Sequence, residues 1–366
     1  MSIESTQIIV KTPPQYALNY EWNQPDSTFE IRKVIFTPET DLKEGQVFVK
    51  TLYLSNDPFT RGVIQKVENQ TLPKGRPVAS VALGEVLESK NTLYKKGDVV
   101  TGIWNWSEYA IPSVIYYAID KASKLPFTYY ISVIGIAPLT AYFGLTKILK
   151  FNSDVTSETY KAKNLIIISA ATGAVGAAAV QLSKHNFGIS TVVGITGTDS
   201  KAKWVESIGA DKAFNYNDPD FESQLSAYVT STGGADYYFD NVGGPVLNSV
   251  LPQLNTYGKV AACGNISNFK NANNALLPNW VSIISKRLNI TGLTVHDYIP
   301  EFPKALSVLE KAIEEKKLAT ENAYSVEDIS DKSNKFELVP LVWKRIFDGS
   351  KPHGKIITKI VRNIPK

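Results

Sequence analysis

The chain has 366 residues, with 39 Lys and Arg against 35 Asp and Glu, a hydrophobic share of 43%, one cysteine and three histidines. Such a length predicts about two domains, each able to bury its own core, and the hydrophobic share excludes a disordered chain. A formal charge of +4 with no block of like charges excludes the electrostatic footprint of a nucleic-acid binder, and no apolar run is long enough for a membrane span.

In chain order, the opening Met1-Ser2-Ile3-Glu4 carries neither the basic nor the apolar region of a secretory signal. β-rich runs follow at 30–36, 46–54, 78–88 and 98–103, broken at Gly45, Pro58, Pro77 and Gly97, and predict a compact β-barrel-like domain. Helical spacing over 129–149, interrupted at Gly135 and Pro138, predicts two consecutive helices leading to the next domain. Short apolar strands at 165–169, 191–195, 213–215, 237–240, 259–263 and 288–295 then alternate with helical stretches at 174–185, 201–208, 221–230 and 246–254. That alternation predicts a parallel sheet with helices on both faces. A helix at about 303–317 and strand-like text at 324–329 and 355–361 close the chain.

The most informative chemistry lies where the strand from Leu165 runs into Ala171, Gly173 and Gly176 and then into an Ala-rich helix. This is the setting of a dinucleotide site: Gly173 lets a pyrophosphate approach the backbone, Gly176 lets helix and strand pack, and the first N–H groups of the helix face the anion. After the next strand, Thr198, Ser200 and Lys201 offer donors and a cation suited to a 2′-phosphate, hence NADPH. Asp199 keeps open the alternative of a carboxylate accepting from a ribose hydroxyl, or of a plain helix start. Small residues after two later strands, Asn241 to Gly244 and Cys263 to Ser267, leave room for a flat nicotinamide ring. Cys263 has no neighbouring base and reads as an inert thiol, and as a lone cysteine it fits the cytosol. His185, His296 and His353 lie far apart without metal-motif neighbours, so no zinc site is expected.

These motifs resemble a known family. Ser55, Asp57, Pro58 and Arg61; Gly97 to Gly102 with Trp106 to Ala110; Gly135 with Leu139 to Gly144; Ala170 to Gly176; Phe214 to Tyr216; Phe239 to Gly244; and Cys263 to Ser267 all occur in the family's order. The chain is similar to zinc-independent medium-chain dehydrogenases/reductases, closest to the leukotriene B4 12-hydroxydehydrogenase/prostaglandin reductase and alkenal double-bond reductase group. The resemblance implies an α/β plus β architecture: a GroES-like β-barrel catalytic domain at 1–139, an inserted Rossmann doubly wound NADPH-binding domain at 140–312, and a segment at 313–366 returning to the first. It also implies NADPH-dependent reduction of the C=C bond of a small hydrophobic α,β-unsaturated ketone or aldehyde, by hydride transfer to the β-carbon. Lys201 and Tyr216, beside Gly197, would take the 2′-phosphate, and Gly173, Ala174 and Val175 the pyrophosphate. Thr140, Asn241, Cys263, Gly264 and Ile266 would line the nicotinamide side, with Asn56 beside the ring at the domain cleft.

Two features depart from the pattern. Phe269 stands where the family often has a Tyr that faces the enolate; Tyr53 and Tyr298 are the candidate substitutes for its hydroxyl, with a structural role as the alternative for each. The family's Asn-x-Gly-Lys becomes Lys351, Pro352, His353, Gly354 and Lys355, with one residue inserted. A quinone or aldehyde reductase of loose specificity, or an NADPH-binding protein with little catalysis, are the competing readings. Asp57, before Pro58, is expected to fix a turn, with Arg61 paired to it or to another carboxylate. The last strand of the sheet, at 287–295 with Leu288, Ile290 and Leu293, is an open edge, which predicts a homodimer.

Overall fold

Between the Gly and Pro breaks, the β-branched and aromatic runs of the N-terminal sequence pair mainly in antiparallel fashion. The computed structural model describes residues 2–65, 74–151, 164–269, 274, 276–350 and 353–365, so Lys351 and Pro352 lie outside the described residues. The first strands are β1 (Ile3–Val10), β2 (Phe29–Phe36), β3 (Val47–Ser55), β4 (Ala79–Ser89), β5 (Val99–Asn105), β6 (Tyr109–Ala110) and β7 (Val114–Ala118). The next six are β8 (Leu165–Ile168), β9 (Thr191–Thr196), β10 (Lys212–Asn215), β11 (Ala235–Asp240), β12 (Leu254–Ala262) and β13 (Asn289–Gly292). Strands β14 (Tyr324–Asp328) and β15 (Lys355–Lys359) complete the set.

The chain divides into two compact units, one of Met1–Ser132 with Tyr324–Lys366 and one of Val133–Ala323. The cuts expected after 139 and 312 therefore move. The helix Ile136–Phe143 packs on the helices Ala174–Gln181 and Phe302–Glu314 of the second unit, and Ala319 N donates to Gln181 Oε1 at 2.7 Å, which keeps the chain in that unit beyond residue 312.

In the first unit, β14-β15-β3-β4-β5-β7 form one sheet with β6 attached to β3, while β1 and β2 form a separate pair. The pair meets the rest through the isolated bridges Gln7↔Ser107 and Ile9↔Pro77. Among the described residues the expected barrel is thus an open seven-stranded sheet with a two-stranded companion, not a closed ring. The returning C-terminal segment is built into its core: Trp343 packs edge-on against Trp106 with ring centroids 5.7 Å apart, and both indoles are buried with Phe29, Trp104 and Phe336.

The second unit is a parallel six-stranded sheet in the order β10-β9-β8-β11-β12-β13. Leu165 and Ile167 of β8 cluster with Phe221, Leu225 and Val246, whereas Ile166 and Ile168, pointing the other way, are also fully buried. Both faces are therefore covered, as the unbroken apolar strand requires. The strand order reverses between β8 and β11, and in such a sheet ligands bind beyond the carboxyl ends of the strands at that switch. The segment at 129–149 forms a 3-10 turn (Phe127–Ile131) and the helix Ile136–Phe143, which continues into a π turn (Gly144–Ile148). The last strand is shorter than expected, because after Leu293 N bonds to Ala262 O the chain turns into the 3-10 helix Val295–Glu301.

Candidate active site

At the switch, β8 ends in Ser169 and the chain turns through Ala170, which adopts φ 47°, into the helix Ala174–Gln181. A Cβ on Gly176 would collide with the Ala170 backbone and lie 2.8 Å from Ala171 Cα, so only glycine lets the helix start this close to the strand. A Cβ on Gly173 would sit 3.1 Å from Ala170 O. Gly173, Ala174 and Val175 are partly open to solvent, and among the described residues the N–H groups of Ala174 and Val175 have no partner in the chain. Together with the helix dipole they make an anion cradle that fits the pyrophosphate of a dinucleotide.

Beside it, β9 and β10 run in parallel register with Thr196 opposite Asn215. This brings Gly197, Lys201 and Tyr216 to one end of the sheet. The Tyr216 ring lies over Gly197, where an added Cβ would be 3.2 Å from the phenol oxygen, and Asn217 Nδ2 donates to Gly197 O at 2.8 Å. Thr198 caps the helix Asp199–Ser207 by accepting from Lys201 N at 3.2 Å, which leaves the Lys201 ammonium half-exposed in the first turn. Asp199 Oδ1 accepts from Asn215 Nδ2 at 2.9 Å, so one of its oxygens is already engaged with the strand end. A cavity of about 200 Å³ opens beside Tyr216, walled by Phe221, Val246 and Pro245 and edged by Asp218 and Glu222.

On the other side of the switch, Asp240 at the end of β11 is the anchor that motif reading missed. It is buried, and its Oδ1 accepts from Ser169 Oγ (3.2 Å), the Tyr238 hydroxyl (2.8 Å), Val242 N (3.0 Å) and Gly243 N (2.9 Å). Its backbone oxygen accepts from Cys263 N at 2.8 Å and Gly264 N at 3.0 Å. Burial pushes the Asp240 carboxyl up despite these donors. Asn241 is locked by its backbone N on Ser169 Oγ and its Nδ2 on Ser169 O. Asp240 thus holds both loops expected at the nicotinamide side, one through its carboxylate and the other through its backbone oxygen, and Ile266 follows in the turn Ile266–Phe269. Burial, reinforced by Asp240, pushes the Cys263 thiol up to about 12, so it is not a thiolate near neutral pH. Thr140, on the helix Ile136–Phe143, donates to Ile136 O at 2.7 Å and is half-buried.

In the first unit, Asn56 is buried, and its amide donates to Ile356 O (3.2 Å) and Thr358 Oγ1 (2.9 Å), tying β3 to β15. Asp57 pairs with buried Lys355 and accepts from Ser55 Oγ, while Trp343 Nε1 donates to its backbone oxygen at 2.8 Å. Arg61 is not its partner, contrary to one of the pairings expected. The buried guanidinium donates to Tyr16 O through Nη2, and its Nη1 has no partner among the described residues. The Lys of the altered C-terminal motif, Lys355, is what neutralises Asp57.

Tyr53 stands on the face of β3 that also carries Ser55, and is 7% exposed. Its hydroxyl makes no hydrogen bond to any described residue, and burial raises its pKa. Phe269, half-buried in its short turn, has no hydroxyl to offer. Tyr298 is stacked on Phe143 at 4.9 Å with Lys147 over its ring. Among the described residues no group of three or more His, Cys, Asp or Glu is placed to hold a metal ion, and no helix is long and apolar enough to cross a membrane.

Two family models match the chain: one described as zinc-binding dehydrogenase, over residues 174–311, and one described as N-terminal domain of oxidoreductase, over residues 21–115. The chain is 32% identical to an NADP-dependent 2-alkenal reductase of Nicotiana tabacum over 98% of each chain. It is also 32% identical, over 95% of each, to a Saccharomyces cerevisiae protein named uncharacterized membrane protein YML131W. Among solved structures, CurA from Vibrio vulnificus superposes with a TM-score of 0.79 at 24% identity, covering 99% of this chain and 100% of that one.

Proposed function

The chain belongs to the zinc-independent medium-chain dehydrogenase/reductase family, in its alkenal and prostaglandin reductase branch, and from that premise we propose that it reduces the C=C bond of α,β-unsaturated ketones and aldehydes with NADPH. The likeness to the tobacco reductase along nearly its whole length carries the substrate class. NADPH, when bound, supplies the hydride that is added at the β-carbon.

The residues have separable tasks. The Ala174 and Val175 N–H groups hold the pyrophosphate, with Gly173 giving it room. The Lys201 ammonium and Tyr216 phenol take the 2′-phosphate beside Gly197. Thr140, Asn241, Cys263, Gly264 and Ile266 shape the nicotinamide side, with Asp240 fixing the two strand-end loops. Tyr53 donates to the carbonyl oxygen, where negative charge develops as the β-carbon is reduced. Support for that role is a hydroxyl with no hydrogen-bond partner among the described residues, on a side chain that is 7% exposed, together with the lack of a hydroxyl on Phe269. Asn56 acts indirectly, since its amide hydrogens are spent on β15 and hold the end of β3 in place.

The protein acts as a homodimer through the open edge of β13, and its single cysteine fits the cytosol. NADPH oxidation followed by absorbance with a panel of enones, 2-alkenals and quinones tests the whole reading. Turnover of enones and alkenals alone is expected. Broad turnover that includes quinones would move the function to a detoxifying reductase, and NADPH binding without any turnover would overturn the enzymatic assignment.

A further inference from the structure

Three strands bring together residues that are distant in sequence. In β15, Lys359 stands directly opposite Tyr53 of β3, and in β14, Asp328 stands directly opposite Lys359. Residues in such register point to the same face, with Cβ atoms about 5 Å apart. Lys359 Nζ is 2.8 Å from Asp328 Oδ2, and the lysine side chain is only 20% exposed. Asp328, Lys359 and Tyr53 therefore form a row of anion, cation and phenol across the sheet. Neither charge serves the core, which is built from the other face through Leu54 and Ile360.

We propose that Lys359, held in place by Asp328, is a positioning residue that strengthens Tyr53 as the hydrogen-bond and proton donor to the substrate's carbonyl oxygen. The proposal rests on the reductase reading above. As hydride is accepted at the β-carbon, the C=C electron pair moves toward the carbonyl and forms the enolate. The phenol proton passes to its oxygen, a solvent proton restores the phenol, and the enol tautomerises to the saturated carbonyl. The dinucleotide is oxidised, the substrate is reduced, and one solvent proton is consumed.

A cation beside the phenol favours the phenolate, whereas burial and the Asp328 carboxylate oppose it. The other groups around Tyr53 are few. From β14 comes Tyr324, whose hydroxyl bonds Thr128 Oγ1 at 2.9 Å. From β4 comes uncharged Leu83. Farther along the same face of β15, Lys355 and Asp57 neutralise each other. Asp331, which also acts on Lys359, is paired with Arg362.

The test uses the full chain with Lys359→Met, Lys359→Arg, Asp328→Asn and Tyr53→Phe. The readouts are the alkaline side of the kcat/KM profile for an enone and the absorbance of tyrosinate, with Tyr53→Phe as reference. Tyr53→Phe should lower kcat by about 10²-fold. Lys359→Met should lower it roughly threefold to tenfold and move both the alkaline limb and the Tyr53 titration to higher pH. Asp328→Asn should move both to lower pH, and Lys359→Arg should behave like the unmodified protein. Displacement of both variants in the same direction, or of neither, overturns the proposal, because a merely structural ion pair has no reason to give opposite signs. If the unmodified protein turns over no enone, the functional reading fails, while the tyrosinate titration still decides whether Lys359 acts on Tyr53.

Discussion

At the scale of single residues, the proposed role of Lys201 is to set which dinucleotide the protein prefers. Its backbone is fixed by the Thr198 cap, so the ammonium leaves the first turn of a helix beside Gly197, near the end of the sheet where Tyr216 stands. The competing ribose acceptor, Asp199, spends one oxygen on Asn215. A charge-assisted hydrogen bond contributes roughly 1.5–3 kcal/mol, so Lys201→Glu should weaken NADPH binding by about 10- to 100-fold while leaving NADH little changed. Fluorescence titration with both nucleotides checks this, and equal losses for the two would contradict a 2′-phosphate role. The place of Lys201 was legible in the sequence because it is local: a strand, a short turn and a helix start. Lys359 was not. It lies at the far end of the chain from Tyr53, and only the register of β15 on β3 makes them neighbours.

At the scale of elements, the turn from β8 to the helix Ala174–Gln181 shows why the glycine motif was readable and what it requires. The contact with Ala170 and Ala171 is backbone on backbone, so it has no flexible side chain to give way. Gly176→Ala should cost about 1–3 kcal/mol by overpacking, and it should also tilt the Ala174 and Val175 N–H groups away from their anion. A thermal melt and an NADPH titration on the same variant should both move, the first to lower temperature and the second to weaker binding. Unchanged binding with a lowered melting temperature would show that the cradle does not depend on the close crossing. The parallel order of the second unit followed from the spacing of its apolar runs, and the GroES-like first unit is, among the described residues, an open sheet with a two-stranded companion rather than a closed ring. Alternation marks a strand but carries no information on which edges pair, and β1 joins the rest through the isolated bridges and backbone hydrogen bonds such as Ile8 N to Trp106 O at 3.0 Å. The Asp240 anchor was hidden for a related reason, since its donors come from Ser169, Tyr238 and two loop amides that only the strand order gathers.

At the scale of the whole molecule, the proposed dimer rests on the free side of β13. Among the described residues the strand pairs only with β12, and all four of its residues are exposed, Ile290 among them at 39%. Just before it, Trp280, Val281 and Ile284 expose 58%, 66% and 67% of their surface, and Tyr257 exposes 69% with Arg287 stacked over its ring. An edge of unpaired N–H and C=O groups beside uncovered apolar side chains is a template for another strand, and the simplest closed solution is the same edge of a second copy across a two-fold axis. Such pairing joins backbone hydrogen bonds to apolar burial, so it should hold as salt is raised, unlike a contact between charges. Sedimentation at micromolar concentration should therefore give a dimer at low and high salt. Ile284→Glu together with Ile290→Lys should give a monomer that still binds NADPH, because neither side chain belongs to the cradle at Ala174 and Val175. A monomer from the unmodified chain would leave these side chains without the partner argued here, and a dimer that dissolves in salt would place the contact on a charged surface instead.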